Sequence, residues 1–142
     1  MILLDTDHLS VLKYPESAQR ARLEGRLAAS SDRDIATTIV NAEEQMRGWL
    51  AEINHLRTVH QQIPAYERPL KLLDFLSRIP VIPFDVHATN EFDRLRRMKV
   101  RIGSMDLKIA CIALTQDALL LSANLRDFQQ VPRLRVENWL KE

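Results

Sequence analysis

Acidic and amide side chains recur in this 142-residue sequence just after predicted strands, or in the first turns of helices that follow a strand or loop. The candidates are Asp5, Glu44, Asp106, Asn124 and Asp127. In an open parallel sheet the carboxyl ends of the strands lie at one edge, and ligands bind at that edge. We therefore expect these side chains to gather there.

Three or more carboxylates in one place repel one another and raise one another's pKa values. A divalent cation removes that penalty, and a ligand set made only of oxygen favours a hard ion such as Mg²⁺ or Mn²⁺ over zinc. Each acid could instead have a structural role that does not involve a metal ion. Glu44 and Asp106 suit the positive end of a helix dipole, and the sequence favours a surface turn for Asp127.

Two polar residues, Asp7 and His8, lie two and three positions after the first acid, Asp5. Asp7 could cap the helix that begins there, and its contribution to the site, like that of Asp127, stays open. His8 could touch a substrate, but the sequence favours a structural role for it. The other three histidines have no ligand spacing that coincides with the acids.

Strands alternate with helices along the chain, which predicts one α/β domain over residues 1–142 with a parallel sheet covered on both faces. After the first strand, the predicted strands are 35–39, 80–83, 118–122 and 134–136. The predicted helices are 9–13, 15–29 (begun by Pro15), 40–62 (ended by Pro64), 67–78, 85–98 (capped by Asp85), 105–116 and a short turn near Arg126.

Composition limits the possible functions. The formal net charge is +1, so any affinity for nucleic acid must come from local charge such as the five cations in 94–101. Those cations also complement the dipole of the helix that they end. The single cysteine, Cys111, excludes a disulfide within the chain, and the three glycines form no phosphate-binding loop. With no apolar run of membrane length, we expect a cytoplasmic protein without a membrane span.

Four blocks of the sequence resemble the signature blocks of the PIN domain, and more narrowly those of the VapC-type toxins of bacterial toxin–antitoxin pairs. They are residues 1–7 (MILLDTD), 42–48 (AEEQMRG), 102–110 (IGSMDLKIA) and 121–128 (LSANLRDF). Their order and spacing match over essentially the whole chain. The resemblance implies a PIN-like three-layer α/β/α sandwich with a mainly parallel sheet and metal-dependent ribonuclease activity. It also implies an RNA substrate, a homodimer and inhibition by a VapB-like antitoxin.

The resemblance also assigns roles by position. It implies that Asp5, Glu44 and Asp106 bind Mg²⁺ or Mn²⁺, and Gly48, four residues further on, selects Glu44 over its acidic neighbour. The fourth catalytic position, often Asp in the family, falls on Asn124. An amide can ligate weakly but brings no charge, which weakens the case for a tightly held second ion.

The primary hypothesis is hydrolysis of RNA phosphodiester bonds, with the acids holding the cation and Glu44 completing its ligand set or orienting the attacking water. A phosphatase of the haloacid-dehalogenase type is one alternative, because Asp5 and Asp7 after a strand resemble its nucleophile motif. Lys108 matches that family's later lysine poorly, and no acidic pair follows. An RNA-binding or regulatory module with weak catalysis is the other alternative, and Asn124 is its support.

Overall fold

The computed structural model describes residues 1–13 and 17–141, in which parallel strands alternate with helices. The elements are β1 Ile2–Leu4, α1 Thr6–Lys13, α2 Ala18–Ala29, β2 Ile35–Thr38, α3 Ile39–His55, α4 Val59–Leu76, β3 Val81–Ile82, α5 Val86–Arg97, α6 Ser104–Thr115, β4 Leu119–Leu121, α7 Leu125–Phe128 and β5 Arg135–Glu137. The predicted helix start at Pro15 lies outside the described residues. No helix in the described part of the chain is both long and apolar enough to cross a bilayer.

The five strands form one sheet in the order β3-β2-β1-β4-β5, and every neighbouring pair is parallel. The central strand is β1, in which Leu4 lies between Thr37 of β2 and Leu121 of β4. All carboxyl ends therefore lie at one edge, which confirms the predicted parallel sheet.

Helices cover both faces of this sheet. Side chains along β1 alternate in direction and so pack into two separate cores, one on each face. Leu3 packs on one side in a cluster that includes Leu95 of α5. Leu4 packs on the other side with Leu9 of α1 and Leu23 of α2. The result is the predicted three-layer α/β/α sandwich.

One helix predicted over 40–62 is divided between α3 and α4, so that prediction is wrong. Thr58 starts the second helix with a capping box. Its Oγ1 accepts from the backbone N–H of Gln61 at 3.2 Å, and Oε1 of Gln61 accepts from the backbone N–H of Thr58 at 3.2 Å. This local arrangement satisfies amides that have no partner at a helix start, whereas apolar spacing alone does not show the break.

Pro64, predicted to end a helix, lies inside α4 together with Pro69. Each proline removes one backbone donor from the helical ladder. The helix continues because Ala65, Pro69 and Leu72 are buried against the rest of the protein. Tertiary packing thus offsets the lost hydrogen bonds. The helix predicted over 67–78 is not a separate element but the second half of α4, which begins at Val59. The remaining predicted elements are present close to their expected bounds, and Asp85 caps α5 by accepting from the N–H of Ala88 at 3.0 Å.

Candidate active site

The centre of the site is Asp5, which follows β1 and is only 6% exposed. Its Oδ2 accepts from the hydroxyl of Ser122 at 2.6 Å. Its Oδ1 accepts from Nδ2 of Asn41 at 2.7 Å and from the backbone N–H of Thr6 at 2.9 Å. Both carboxylate oxygens are therefore fixed in direction by partners from three different segments of the chain.

Asn41 is a site residue that the sequence analysis missed. The cap of α3, Thr38, accepts from the N–H of Asn41 at 3.1 Å and donates to its Oδ1 at 2.7 Å. These bonds aim the amide nitrogen at Asp5. The available signal was helical spacing, because Asn41 lies three residues before Glu44 and so on the same face of α3. Ser122, also missed, directly follows β4, the strand beside β1.

Glu44 is joined to Asp5 through Thr6. The Thr6 hydroxyl donates to Oε2 of Glu44 at 3.1 Å, while the Thr6 amide donates to Asp5. The neighbouring acid, Glu43, pairs instead with Arg47 at 2.6 Å. Of the two adjacent glutamates, Glu44 is thus the one that faces Asp5.

On the other side of the site, Asn124 lies between two acids. Its Nδ2 donates to Oδ2 of Asp106 at 3.2 Å and to Oδ2 of Asp127 at 3.1 Å. The sequence favoured a surface turn for Asp127, whereas the structure brings its carboxylate beside Asp106. As placed, the Asn124 amide presents hydrogen atoms to the acids, which reduces the repulsion between them.

Asp7 and His8 connect elements around the site. The ring of His8 is fully buried, and its Nε2 accepts from the backbone N–H of Trp139 at 3.1 Å, so Nδ1 carries the proton and points to Asp7 at 2.5 Å. The structural role expected for His8 is confirmed. Asp7 is not a helix cap, because α1 begins at Thr6. Its Oδ2 accepts from the N–H of Ala123 at 2.9 Å.

Burial is the main reason that the pKa values of three acids are raised. The pKa of Asp5 is raised by burial and by the charge of Asp7, against the hydrogen bonds that it accepts. Burial followed by the charge of Asp5 raises the pKa of both Glu44 and Asp106, and Asp127 adds to the effect on Asp106. The acids therefore lie close enough to disfavour one another's ionisation.

The same acids do not form a ready-made ligand group. Among residues 1–13 and 17–141, no three His, Cys, Asp or Glu side chains are placed to hold one metal ion. Hydrogen bonds hold Glu44 on Thr6 and Asp106 on Asn124. The donor set nevertheless suits a hard cation, since it consists of oxygen atoms from mutually repelling acids. Those two acids would have to exchange these bonds for the ion.

Comparison of the sequence with known protein families identifies the family of this chain. A family model described as "PIN domain" matches residues 2–134. The chain belongs to the PIN domain family. This PIN chain is 37% identical over 75 residues to "Ribonuclease VapC2" of Rickettsia felis, covering 50% of this chain and 56% of the relative. It is 31% identical over 80 residues to "tRNA(fMet)-specific endonuclease VapC" of Salmonella typhimurium, covering 53% and 61%. It thus spans little more than half the length of the curated relatives it matches.

Solved structures show the PIN fold over nearly the whole chain. The chain matches VapBC2 from Rickettsia felis, bound to a promoter DNA fragment, with a TM-score of 0.71 and 26% identity, covering 98% of this chain and 99% of that one. It matches FitAcB from Neisseria gonorrhoeae with a TM-score of 0.71, full coverage of both chains and 20% identity, a likeness of fold alone. The predicted PIN-like sandwich is confirmed.

Proposed function

We propose that this PIN protein is a ribonuclease that hydrolyses phosphodiester bonds of cytoplasmic RNA, with Mg²⁺ or Mn²⁺ held by Asp5, Glu44 and Asp106. The observation that carries the proposal is the buried Asp5 at the carboxyl edge of the sheet. Glu44 and Asp106 lie close enough to Asp5 for its charge to raise their pKa values. The ribonuclease names of the similar proteins favour RNA as the substrate.

The protein's own groups have distinct roles in this proposal. When bound, the cation neutralises charge on the phosphoryl oxygens and makes water more acidic. Asp5 provides a carboxylate whose direction is fixed by three donors. Glu44, half-buried and joined to Asp5 through Thr6, would complete the ligand set of the cation or orient the attacking water. Asn124 holds Asp106 and Asp127 in place by donating to both.

The test is cleavage of total cellular RNA by the purified protein with Mg²⁺, with Mn²⁺ and with EDTA, beside the Asp5→Asn variant. We expect fragments that require the cation and disappear in the variant. Asp93→Asn, at an exposed position of α5, makes the same change of charge away from the site and should cleave normally. Cleavage by Asp5→Asn at the normal rate would overturn the assignment.

A weakly catalytic RNA-binding module is the second candidate. It is favoured by the amide at position 124 and by the hydrogen bonds that already engage Glu44 and Asp106. It predicts RNA retention without cation-dependent cleavage, and gain of cleavage by Asn124→Asp.

The phosphatase alternative loses support, because the ammonium of Lys108 lies over the ring of Phe84, 5.9 Å from its centroid. Turnover of a generic phosphomonoester would restore it.

We also propose two protein partners. The similar proteins named VapC, and the solved structures named as VapBC complexes, favour a VapB-like antitoxin as an inhibitor. Co-expression with a small acidic protein encoded beside this one should give a complex that purifies intact and cleaves no RNA. Separate elution of the two proteins would contradict this pairing.

The second partner is another copy of this chain, and α4 provides a surface for it. One face of α4 carries apolar side chains that are each more than half exposed, at alternating spacings of four and three residues. They are Val59, Ile63, Tyr66, Leu70 and Leu73. This spacing is that of a coiled-coil seam, which pairs with a like helix. We therefore propose that α4 packs against α4 of the second copy.

A further inference from the structure

A cleft of about 270 Å³ opens beside the acidic centre, between α1, α3 and α4. The residues that matter here are Thr6, Lys13, Gln45, Gly48, Trp49 and Arg68. The cleft and the acidic centre share Thr6, whose hydroxyl donates to Glu44 at 3.1 Å. A chain molecule bound at the acids can therefore continue directly into the cleft.

Two hydrogen-bond donors on the α3 wall of this cleft have no acceptor. Nε2 of Gln45 and Nε1 of Trp49 are buried and make no hydrogen bond. The Gln45 Oε1 accepts from the ammonium of Lys13, so the nitrogen is the end of the amide without a partner. The two residues are four apart and lie on one face of α3. Ligand oxygen atoms that reach these nitrogens would satisfy the two donors.

The cleft also brings two cations together. Burial, followed by the charge of Arg68, lowers the pKa of Lys13. The acid that lines the cleft, Glu52, is already bound to Arg68 at 2.8 Å. With Glu52 engaged by Arg68, the unpartnered nitrogens of Gln45 and Trp49 beside these cations favour an anionic ligand with several oxygen atoms.

Gly48 leaves the backbone of α3 open to this ligand. It lies between Gln45 and Trp49 on the cleft wall, and a Cβ built on it would have no atom within 4 Å. The packing of the protein itself therefore does not require a glycine here. Without a side chain at this point, a ligand can approach the helix closely.

We propose that this cleft binds the backbone phosphate next to the scissile phosphate of the RNA substrate. The inference rests on the proposed nuclease function. An RNA strand held at Asp5, Glu44 and Asp106 passes over Thr6 and places its neighbouring phosphate among the cations and donors of the cleft. The cleft supplies attraction for a polyanion that the acids repel.

The direct test follows the two indole N–H signals by NMR while a short single-stranded RNA is added in EDTA, so that no cleavage occurs. We expect the signal of Trp49, identified with the Trp49→Phe variant, to shift as its N–H gains an acceptor. Trp139 is a control within the same chain, because its Nε1 already donates to Glu137 at 2.6 Å. An unmoved Trp49 signal at saturating RNA would overturn the proposal.

Affinity measurements in EDTA test the same site by substitution. Gln45→Glu keeps the size of the side chain and replaces the donor with an acceptor, and Arg68→Gln removes a charge. Each should weaken RNA binding about tenfold, and Arg68→Gln should reduce the slope of log K against log salt by about 0.7. Arg78→Gln removes a cation just after α4 that is paired with Asp74 at 2.7 Å, and this variant should bind normally.

Cleavage assays separate this proposal from the function on which it rests. With cation present, both cleft variants should show a raised KM with kcat changed much less. RNA cleavage by wild-type protein together with unchanged affinity in both variants would overturn the cleft assignment and leave the nuclease intact. Loss of antitoxin binding with unchanged RNA affinity would overturn it in favour of a protein ligand. If the wild-type protein neither binds nor cleaves RNA, the proposed function fails, and the cleft assignment fails with it.

Discussion

At the scale of single residues, Asp5 depends on partners that are distant in sequence. A buried carboxylate that loses a donor keeps its desolvation cost and gains freedom to rotate. Ser122 and Asn41 supply two of its three donors, one to each oxygen. The direction of the Asp5 carboxylate is therefore set by Ser122, just after β4, and by Asn41, in the first turn of α3.

Ser122→Ala tests this dependence. We expect RNA cleavage to fall about 10- to 100-fold, in the range found when a partner that orients a metal ligand is removed, and the free energy of unfolding to fall by about 1–3 kcal/mol. Cleavage rates and chemical denaturation measure the two effects. Ser31→Ala, at an exposed position, should change neither. Normal cleavage by Ser122→Ala would show that Asp5 does not need this donor.

Asp106 gives a prediction about pH. Because its folded-state pKa lies above the ordinary value of 3.8, the folded protein binds this proton more tightly than the unfolded chain does. Its contribution to stability therefore falls as pH rises from about 3.8 through the folded pKa. In EDTA at about pH 7, Asp106→Asn should melt at a higher temperature than wild type, with the difference vanishing in acid.

The same variant should lose RNA cleavage by more than about 100-fold, and Mg²⁺ should raise its melting temperature less than that of wild type. Thermal melts at several pH values, with and without Mg²⁺, provide the measurement. A lower melting temperature for Asp106→Asn in EDTA at neutral pH would contradict the repulsion argument.

At the scale of elements, α4 begins at a capping box and continues through two prolines that lie inside it. The capping box of Thr58 and Gln61 satisfies amides at the helix start. Beyond it, burial of Ala65, Pro69 and Leu72 keeps the helix intact through Pro64. This helix provides one wall of the cleft, so the break between α3 and α4 is part of what forms the cleft.

Two glycines inside helices give a matched pair. A Cβ would have nothing within 4 Å at Gly25 of α2 or at Gly48 of α3. Each Gly→Ala substitution should therefore raise the free energy of unfolding by about 0.5–1 kcal/mol, because alanine loses less backbone entropy in a helix. Only Gly48→Ala should also weaken RNA binding. A destabilising effect at either position, measured by denaturation, would reveal a packing demand not visible in the folded structure.

At the scale of the whole molecule, the exposed seam on α4 predicts the oligomeric state. Leu70→Glu places a charge in the middle of the seam and should convert a dimer to a monomer, measured as a halved mass by light scattering after gel filtration. Met98→Glu is the matched control, because Met98 is a similarly exposed apolar residue at the end of α5. A monomeric wild-type protein, or a dimeric Leu70→Glu variant, would contradict the proposed surface.

The sequence by itself determined the layered architecture and the edge at which the acids meet. Each of those conclusions depends on a pattern within a few residues, such as an apolar run that ends at Asp5 or the cap at Asp85. Tertiary structure alone decided which groups complete the site. Asn41 and Ser122 reach Asp5 from 36 and 117 residues away, so no local pattern contains these contacts. The continuation of α4 through Pro64 was decided in the same way, because only packing against distant segments offsets the lost hydrogen bonds.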